Sequence, residues 1–217
     1  MSAYTLVIGN KRYSSWSLRG WLAVKMAEVD FDEVLIPLRQ ENSRQNILVH
    51  SPSGKVPLLK TSDGPIWDSL AIGEFLAEVA LEKDLWPRDP EARALARSVT
   101  AEMHSGFAPL RANMPMDLKD RFPGEGLTPE VQQDIDRICE IWRHCRSRFG
   151  ADGPFLFGKA SLADAAYAPV VTRFVTFDVD LDDICKAYRD TVMAWPLMKE
   201  WTAAALEEED VIVGLRP

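Results

Sequence analysis

The chain has little cysteine, little histidine and no long apolar run. Its three cysteines, Cys139, Cys145 and Cys185, are an odd number with no C-x-x-C pair. That pattern speaks against a disulfide framework and a thiolate zinc site. Cys139 falls on an apolar helical stripe and reads as core. The three histidines, His50, His104 and His144, show no ligand spacing, so no metal centre is expected. No apolar run reaches membrane-spanning length. No basic segment followed by an apolar stretch opens the sequence. A cytoplasmic protein without membrane contact is the expectation. Positive charge is also in deficit: 25 Lys and Arg stand against 33 Asp and Glu, a net charge of -8. A nucleic-acid surface needs clustered basic residues, so none is expected. There is no G-x-S-x-G turn of the kind that exposes a hydrolase serine.

What is present is an ordinary globular composition. The 217 residues are 47% hydrophobic and 27% charged, enough to bury a core without staples. Residues 4–8 read as a buried strand. From Leu18 the period changes to that of a helix, with Leu18, Trp21, Leu22 and Met26 on one face. Residues 31–37 read as a second strand and 41–50 as a short irregular helix. Val56 to Lys60, then Ser62-Asp63-Gly64, then Pro65 to Trp67, form a hairpin pattern. Ile72, Phe75, Leu76, Val79 and Ala80 trace a helix headed by Asp68 and Ser69. This β-α-β-α-β-β-α order implies a parallel pair with an antiparallel hairpin at the edge.

Residues 84–90 have no period and read as a linker. Beyond them the pattern is helical. Asp89 and Pro90 open a helix whose stripe is Ala92, Leu95, Ala96, Val99, Met103 and Phe107. A loop spans 115–128. A helix from Thr128-Pro129 carries Ile135, Ile138, Cys139, Trp142 and Phe149. Ser161-Leu162-Ala163-Asp164 has the form of a capping box, opening a helix to about Phe174. Two shorter helices follow. The architecture expected is an α/β domain over 1–80 and an all-helical domain over 91–217.

The stretch R-Y-S-S-W-S-L-R-G-W, Arg12 to Trp21, sits between the first strand and the first helix. A serine there either caps the helix or donates a hydrogen bond to an anion at its positive end. No histidine stands in a recognisable relation to it as a base. Arg12, Arg19 and Arg111 read as solvated charge, with receipt of a substrate carboxylate as the other reading. Pro57 reads as an edge proline, with a cis bond as the alternative.

S-S-W-S-L-R at 14–19, S-P-S-G-K-V-P-L-L at 51–59, D-S-L-A-I at 68–72 and S-L-A-D-A-A-Y-A-P at 161–169 appear in this order. Together they make the chain similar to the cytosolic glutathione S-transferases. The first motif most resembles the S-S-C-S-x-R signature of the zeta class, whose best-known activity is maleylacetoacetate isomerisation. The resemblance implies a thioredoxin-like first domain, glutathione as co-substrate and a homodimer. It implies that Ser14, or else Ser15, holds the glutathione sulfur. Val56 before a cis Pro57 would pair with the cysteinyl unit. Asp68 and Ser69 would hold the γ-glutamyl end. Lys55 and Asn42 would meet the glycyl carboxylate. Ser161 and Asp164 would be structural. The second substrate would be lined by Tyr13, Trp16, Met103, Phe107, Leu110 and Arg111. Trp16 replaces the signature's cysteine, which removes a thiol and offers an aromatic ring. The expected activity is thiolate addition to an aromatic or apolar electrophile. Alternatives are isomerisation of the maleylacetoacetate type and a non-catalytic glutathione-binding scaffold.

Overall fold

The computed structural model describes residues 2–212 and 214. Four strands, β1 (Tyr4–Ile8), β2 (Phe31–Leu35), β3 (Leu58–Thr61) and β4 (Gly64–Ile66), form one sheet in the order β2-β1-β3-β4. β1 runs parallel to β2 and antiparallel to β3, and β3 is antiparallel to β4. β1 is interior, and Leu6, Val7 and Ile8 are all fully buried. A strand covered on both faces needs apolar residues at every position rather than at alternate ones. Leu6, Ile8 and Leu59 pack into the main core, whereas Val7 and Leu58 face the other side with Ile36 and Ile47. β2 lies at the edge and stays partly exposed. It stops at Leu35, two residues short of the strand expected from the sequence.

Helices α1 (Ser15–Ala27) and α3 (Ser69–Val79) belong to the main core, while α2 (Ser43–Leu48) sends Ile47 into the second cluster. Gly20 in α1 is required by close approach. A Cβ there would lie 2.8 Å from the Pro57 ring. α1 and the turn before β3 are thereby pressed together, and both border the site described below.

The remaining helices are α4 (Pro90–Ser105), α5 (Ala108–Asn113), α6 (Pro129–Phe149), α7 (Leu162–Thr176), α8 (Asp183–Ala194) and α9 (Pro196–Leu206). α7 is the central helix; Tyr167, Ala168, Val170 and Val171 are wholly buried. Trp142 of α6 is the aromatic hub, with ring centroids 4.7 Å from Tyr188, 5.4 Å from Phe174 and 6.0 Å from Tyr167. The α4 stripe does not reach Phe107. Gly106 is extended and Phe107 turns to positive φ, so the helix ends and α5 begins. The apolar spacing continues through the break, and spacing alone therefore hides it. Cys139, Cys145 and Cys185 are free and buried. Among the described residues, no helix is long and apolar enough to cross a membrane. None of the described His, Cys, Asp and Glu residues group as a metal site.

Candidate active site

The loop between β1 and α1 is fastened from several directions. The Gly9 N–H donates to Ser17 Oγ at 2.9 Å. Asn10 accepts from the Leu38 N–H at 2.7 Å. The backbone N–H groups of Lys11 and Arg12 donate to the two oxygens of Glu208, at 2.6 and 3.1 Å. Trp201 Nε1 donates to the Lys11 carbonyl at 3.0 Å. Arg12 is buried and forks onto Asp117, with both nitrogen–oxygen distances 2.8 Å, and reaches Asp120 at 2.9 Å. Burial alone would push the Asp117 carboxyl up. The Arg12 fork and the N–H groups of Lys119 and Asp120 outweigh it, so the pKa falls below the usual carboxylate value. Arg12 is therefore a structural tie rather than solvated charge.

Ser14 caps α1. Its Oγ accepts from the Ser17 N–H at 3.2 Å, and its hydroxyl donates to Ser17 Oγ at 2.7 Å. Its single proton is thus committed. Ser15 is the first residue of α1 and is buried at 7% exposure. Among the described residues, its hydroxyl has no hydrogen-bond partner. No acid stands in the first turn of α1, so nothing there repels an anion at the positive helix end.

A groove of about 620 Å³ runs beside this loop, lined by Trp16, Ser53, Lys55, Val56, Pro57, Trp67, Asp68 and His104. The Val56-Pro57 bond is cis, as the resemblance implied, and Trp67-Asp68 is cis as well. Asp68 caps α3 through the Leu70 N–H at 3.0 Å and meets His104 Nε2 at 3.1 Å. Ser69 is the buried first residue of α3. Lys55 is exposed on the groove wall. Asn42 is exposed at the head of α2, makes no side-chain cap and is not among the lining residues.

Trp16 is half-buried and forms part of the groove wall. The Arg19 and Arg111 guanidinium carbons lie 4.7 and 4.8 Å from the centre of its ring, and His104 meets it edge-on at 5.0 Å. Neither arginine is solvated charge. Arg19 Nε donates to the Ala166 carbonyl at 2.8 Å, and Arg111 donates to the carbonyls of Gly106 and Met103. Burial lowers the pKa of both, and a third buried arginine, Arg173, is pulled down to about 9. The structure does not bring the other expected pocket residues to the groove. Met103 and Leu110 are wholly buried in the core, and Phe107 joins them at 8% exposure. Tyr13 is 9% exposed, with the Arg12 guanidinium 4.7 Å from its ring centre. Their apolar spacing reflected helix packing. Conversely, Ser53, Trp67 and His104 line the groove without having been singled out. His104 meets its partner across the space between α3 and α4, which leaves no local sequence signal.

A thioredoxin-like sheet followed by a helical bundle, with a groove beside the first helix, is the architecture of glutathione transferases. A family model for the glutathione S-transferase N-terminal domain matches residues 13–79, and one for the C-terminal domain matches 125–204. The chain is 35% identical over 171 residues to a probable maleylacetoacetate isomerase of Caenorhabditis elegans, covering 77% of each chain. It is 30% identical over 171 residues to the maleylacetoacetate isomerase of Rattus norvegicus, covering 77% of this chain and 76% of the other. The chain belongs to the glutathione S-transferase family. Members of that family are glutathione-dependent enzymes.

Among solved structures, a glutathione transferase homologue of Burkholderia gl BGR1, with bound glutathione, matches with a TM-score of 0.72 at 22% identity. That match covers 95% of this chain and 99% of the other. A maleyl pyruvate isomerase of the zeta class matches with a TM-score of 0.71 at 18% identity, covering 95% and 100%. At such identities these structures speak for the fold.

Proposed function

We propose that the chain binds glutathione in the Trp16 groove and adds its thiolate to a small planar electrophile stacked on that ring. The observation carrying this is Trp16 itself, an aromatic ring in the groove wall with Arg19, Arg111 and His104 against it. Val56, Pro57, Lys55, Asp68 and Ser69 offer the peptide its backbone and charged contacts. The sulfur sits at the head of α1. A free thiol has a pKa of roughly 8.5, and lowering it by two units takes about 2.7 kcal/mol. One hydrogen bond to the anion supplies about 1.5–3 kcal/mol, and the helix end adds about 0.3–1. Ser15 is the donor to the sulfur, because the Ser14 proton is spent on Ser17. Ser14 then shapes the loop. No general base is needed.

A second reading, glutathione-dependent cis–trans isomerisation of a maleyl-type acid, is supported by the names of the sequence relatives. The arginines flanking Trp16 favour it as well, because they give the aromatic wall a cationic border. The ratio of kcat/KM for a chlorodinitrobenzene-type electrophile to that for maleylacetone decides between the two. Trp16→Ala should lower that ratio about tenfold if stacking on the ring supports transfer. A wild-type ratio dominated by maleylacetone establishes isomerisation instead. Homodimerisation and a cytoplasmic location are proposed with this reading, on the family's behaviour.

A further inference from the structure

Behind the groove lies a second, much smaller cavity of about 30 Å³, where α1, α3, α4 and α7 meet. It has room for one guest the size of a water molecule. Arg19, Trp86 and Thr100 line it, and each carries a buried polar atom without a partner. These are both terminal nitrogens of Arg19, Nε1 of Trp86 and Oγ1 of Thr100. Arg19 is 5% exposed, Thr100 4% and Trp86 6%. Ser69, at the head of α3, adds a hydroxyl to the wall.

The inventory is lopsided. The guanidinium ends and the indole are donors only, the threonine hydroxyl can also donate, and the remaining polar ring in the wall, His104, has its Nε2 on Asp68 at 3.1 Å. No Asp or Glu lines the cavity. Arg19 feels two further cations, Arg111 and Arg173, and no carboxylate. Asp68, the nearest acid at the head of α3, is turned to Leu70 and His104 and lies outside the cavity wall. A water accepts two hydrogen bonds and must place two of its own protons, so it fits a donor-rich chamber poorly. It also leaves the buried charge unbalanced, which is costly. A monatomic anion accepts from every side and cancels the charge.

We infer that this cavity is a halide site, holding one chloride between Arg19, Trp86 and Thr100. The ion would bridge the sheet-bearing half, through Arg19 and Ser69, to the helical half, through Thr100. It would act as an electrostatic rivet in the glutathione-free protein.

The test is thermal unfolding of the glutathione-free protein in sodium bromide or chloride, with gluconate holding ionic strength constant. A saturable rise in Tm of about 3–6 °C for halide over gluconate is expected at a halide concentration ten times its dissociation constant. Thr100→Val, which keeps shape and removes the hydroxyl, should need about tenfold more halide for the same rise. Arg19→Lys provides a second variant with the charge retained, and it too should weaken the halide response. Crystals grown in bromide should show an anomalous peak between Arg19 and Thr100. No halide-specific Tm shift together with bromide peaks on the surface only would overturn the site. So would a cavity peak that glutathione displaces, because the chamber would then belong to a glutathione carboxylate.

Discussion

Helices α1 and α7 both begin with a serine cap, and both carry an oxygen side chain three positions later. In α1 the pair is Ser14 and Ser17; in α7 it is Ser161 and Asp164. The α7 head is closed. Asp164 is fully buried and accepts from the Ser161 N–H at 2.8 Å, Ser161 Oγ at 3.0 Å, the Leu156 N–H at 3.1 Å and the Tyr188 hydroxyl at 3.0 Å. The α1 head is left open. Ser17 closes the loop with neutral hydroxyl contacts, and the next hydroxyl, Ser15, stays unspent. A carboxylate at the third position would have neutralised the helix end that a thiolate needs. On the proposed function, a cap that builds and a cap that binds differ by one side-chain charge.

Removing Asp164 should produce the largest effect. Asp164→Ala strands four donors in the core and should cost about 3–5 kcal/mol in urea unfolding. Glutathione affinity of the folded fraction should be unchanged; a stable but inactive variant would place the α7 head in catalysis. Burial pushes the Asp164 carboxyl up to about 6, against the pull of its donors. The folded state then keeps a proton that the unfolded chain, with a carboxyl near 3.9, has released. Asp164's contribution to stability should accordingly fall as pH rises from about 4 to 6, and Asp164→Asn should flatten that part of the curve.

Next in size is the tie beneath the open head. Asp117→Asn leaves the Arg12 guanidinium with Asp120 as its remaining acid partner and should cost about 2 kcal/mol. Its KM for glutathione should rise more than its kcat falls, because the loop loosens while the serine hydroxyls remain. An unchanged KM would separate the tie from the site.

The serines themselves sharpen the contrast directly. Ser15→Ala should raise the pKa of bound glutathione by about one unit, read by thiolate absorbance against pH, with little change in stability. Ser14→Ala should do the reverse, costing about 1 kcal/mol of stability as a lost cap. If Ser14→Ala alone abolished the thiolate, the roles of the two hydroxyls would be exchanged. The smallest effect belongs to Glu208→Gln, which keeps one acceptor oxygen, sets an NH2 group against the other backbone N–H and loses the charge. A loss of about 0.5–1 kcal/mol and a slight rise in glutathione KM are expected. A tenfold loss of kcat would mean that Glu208 acts on the sulfur through the loop.

What could be read from the sequence divides along the same line. The α7 cap was legible because Ser161 and Asp164 are three residues apart, and their chemistry is local. Its fourth donor, Tyr188, was not, because it arrives from another helix. β1, the hairpin and the α3 and α6 stripes were legible because burial on a fixed period writes itself into the sequence. The end of α4 was not, since Met103 and Phe107 keep the helical spacing across the break at Gly106. Around the site, the serine loop and Val56-Pro57 were visible as contiguous motifs. The setting of Trp16 was hidden. Arg111 and His104 arrive from other helices, and Arg19, three residues along the same helix, reads as solvated charge as arginine on a helix ordinarily does. Met103, Phe107 and Leu110 lie in the core and not on the groove wall, because an apolar stripe records burial without saying what covers it.

The fastening of the serine loop by Glu208 also has a consequence for biosynthesis. The two are 197 residues apart at the Lys11 contact. At about 5–20 residues per second, a ribosome needs roughly 10–40 s to travel from one to the other. For that interval the nascent chain has its serines but lacks the carboxylate that gathers the N–H groups of Lys11 and Arg12, and lacks Trp201 against the Lys11 carbonyl. A segment made early thus receives its fastenings late, and a chain stalled before residue 201 would carry the whole motif without them.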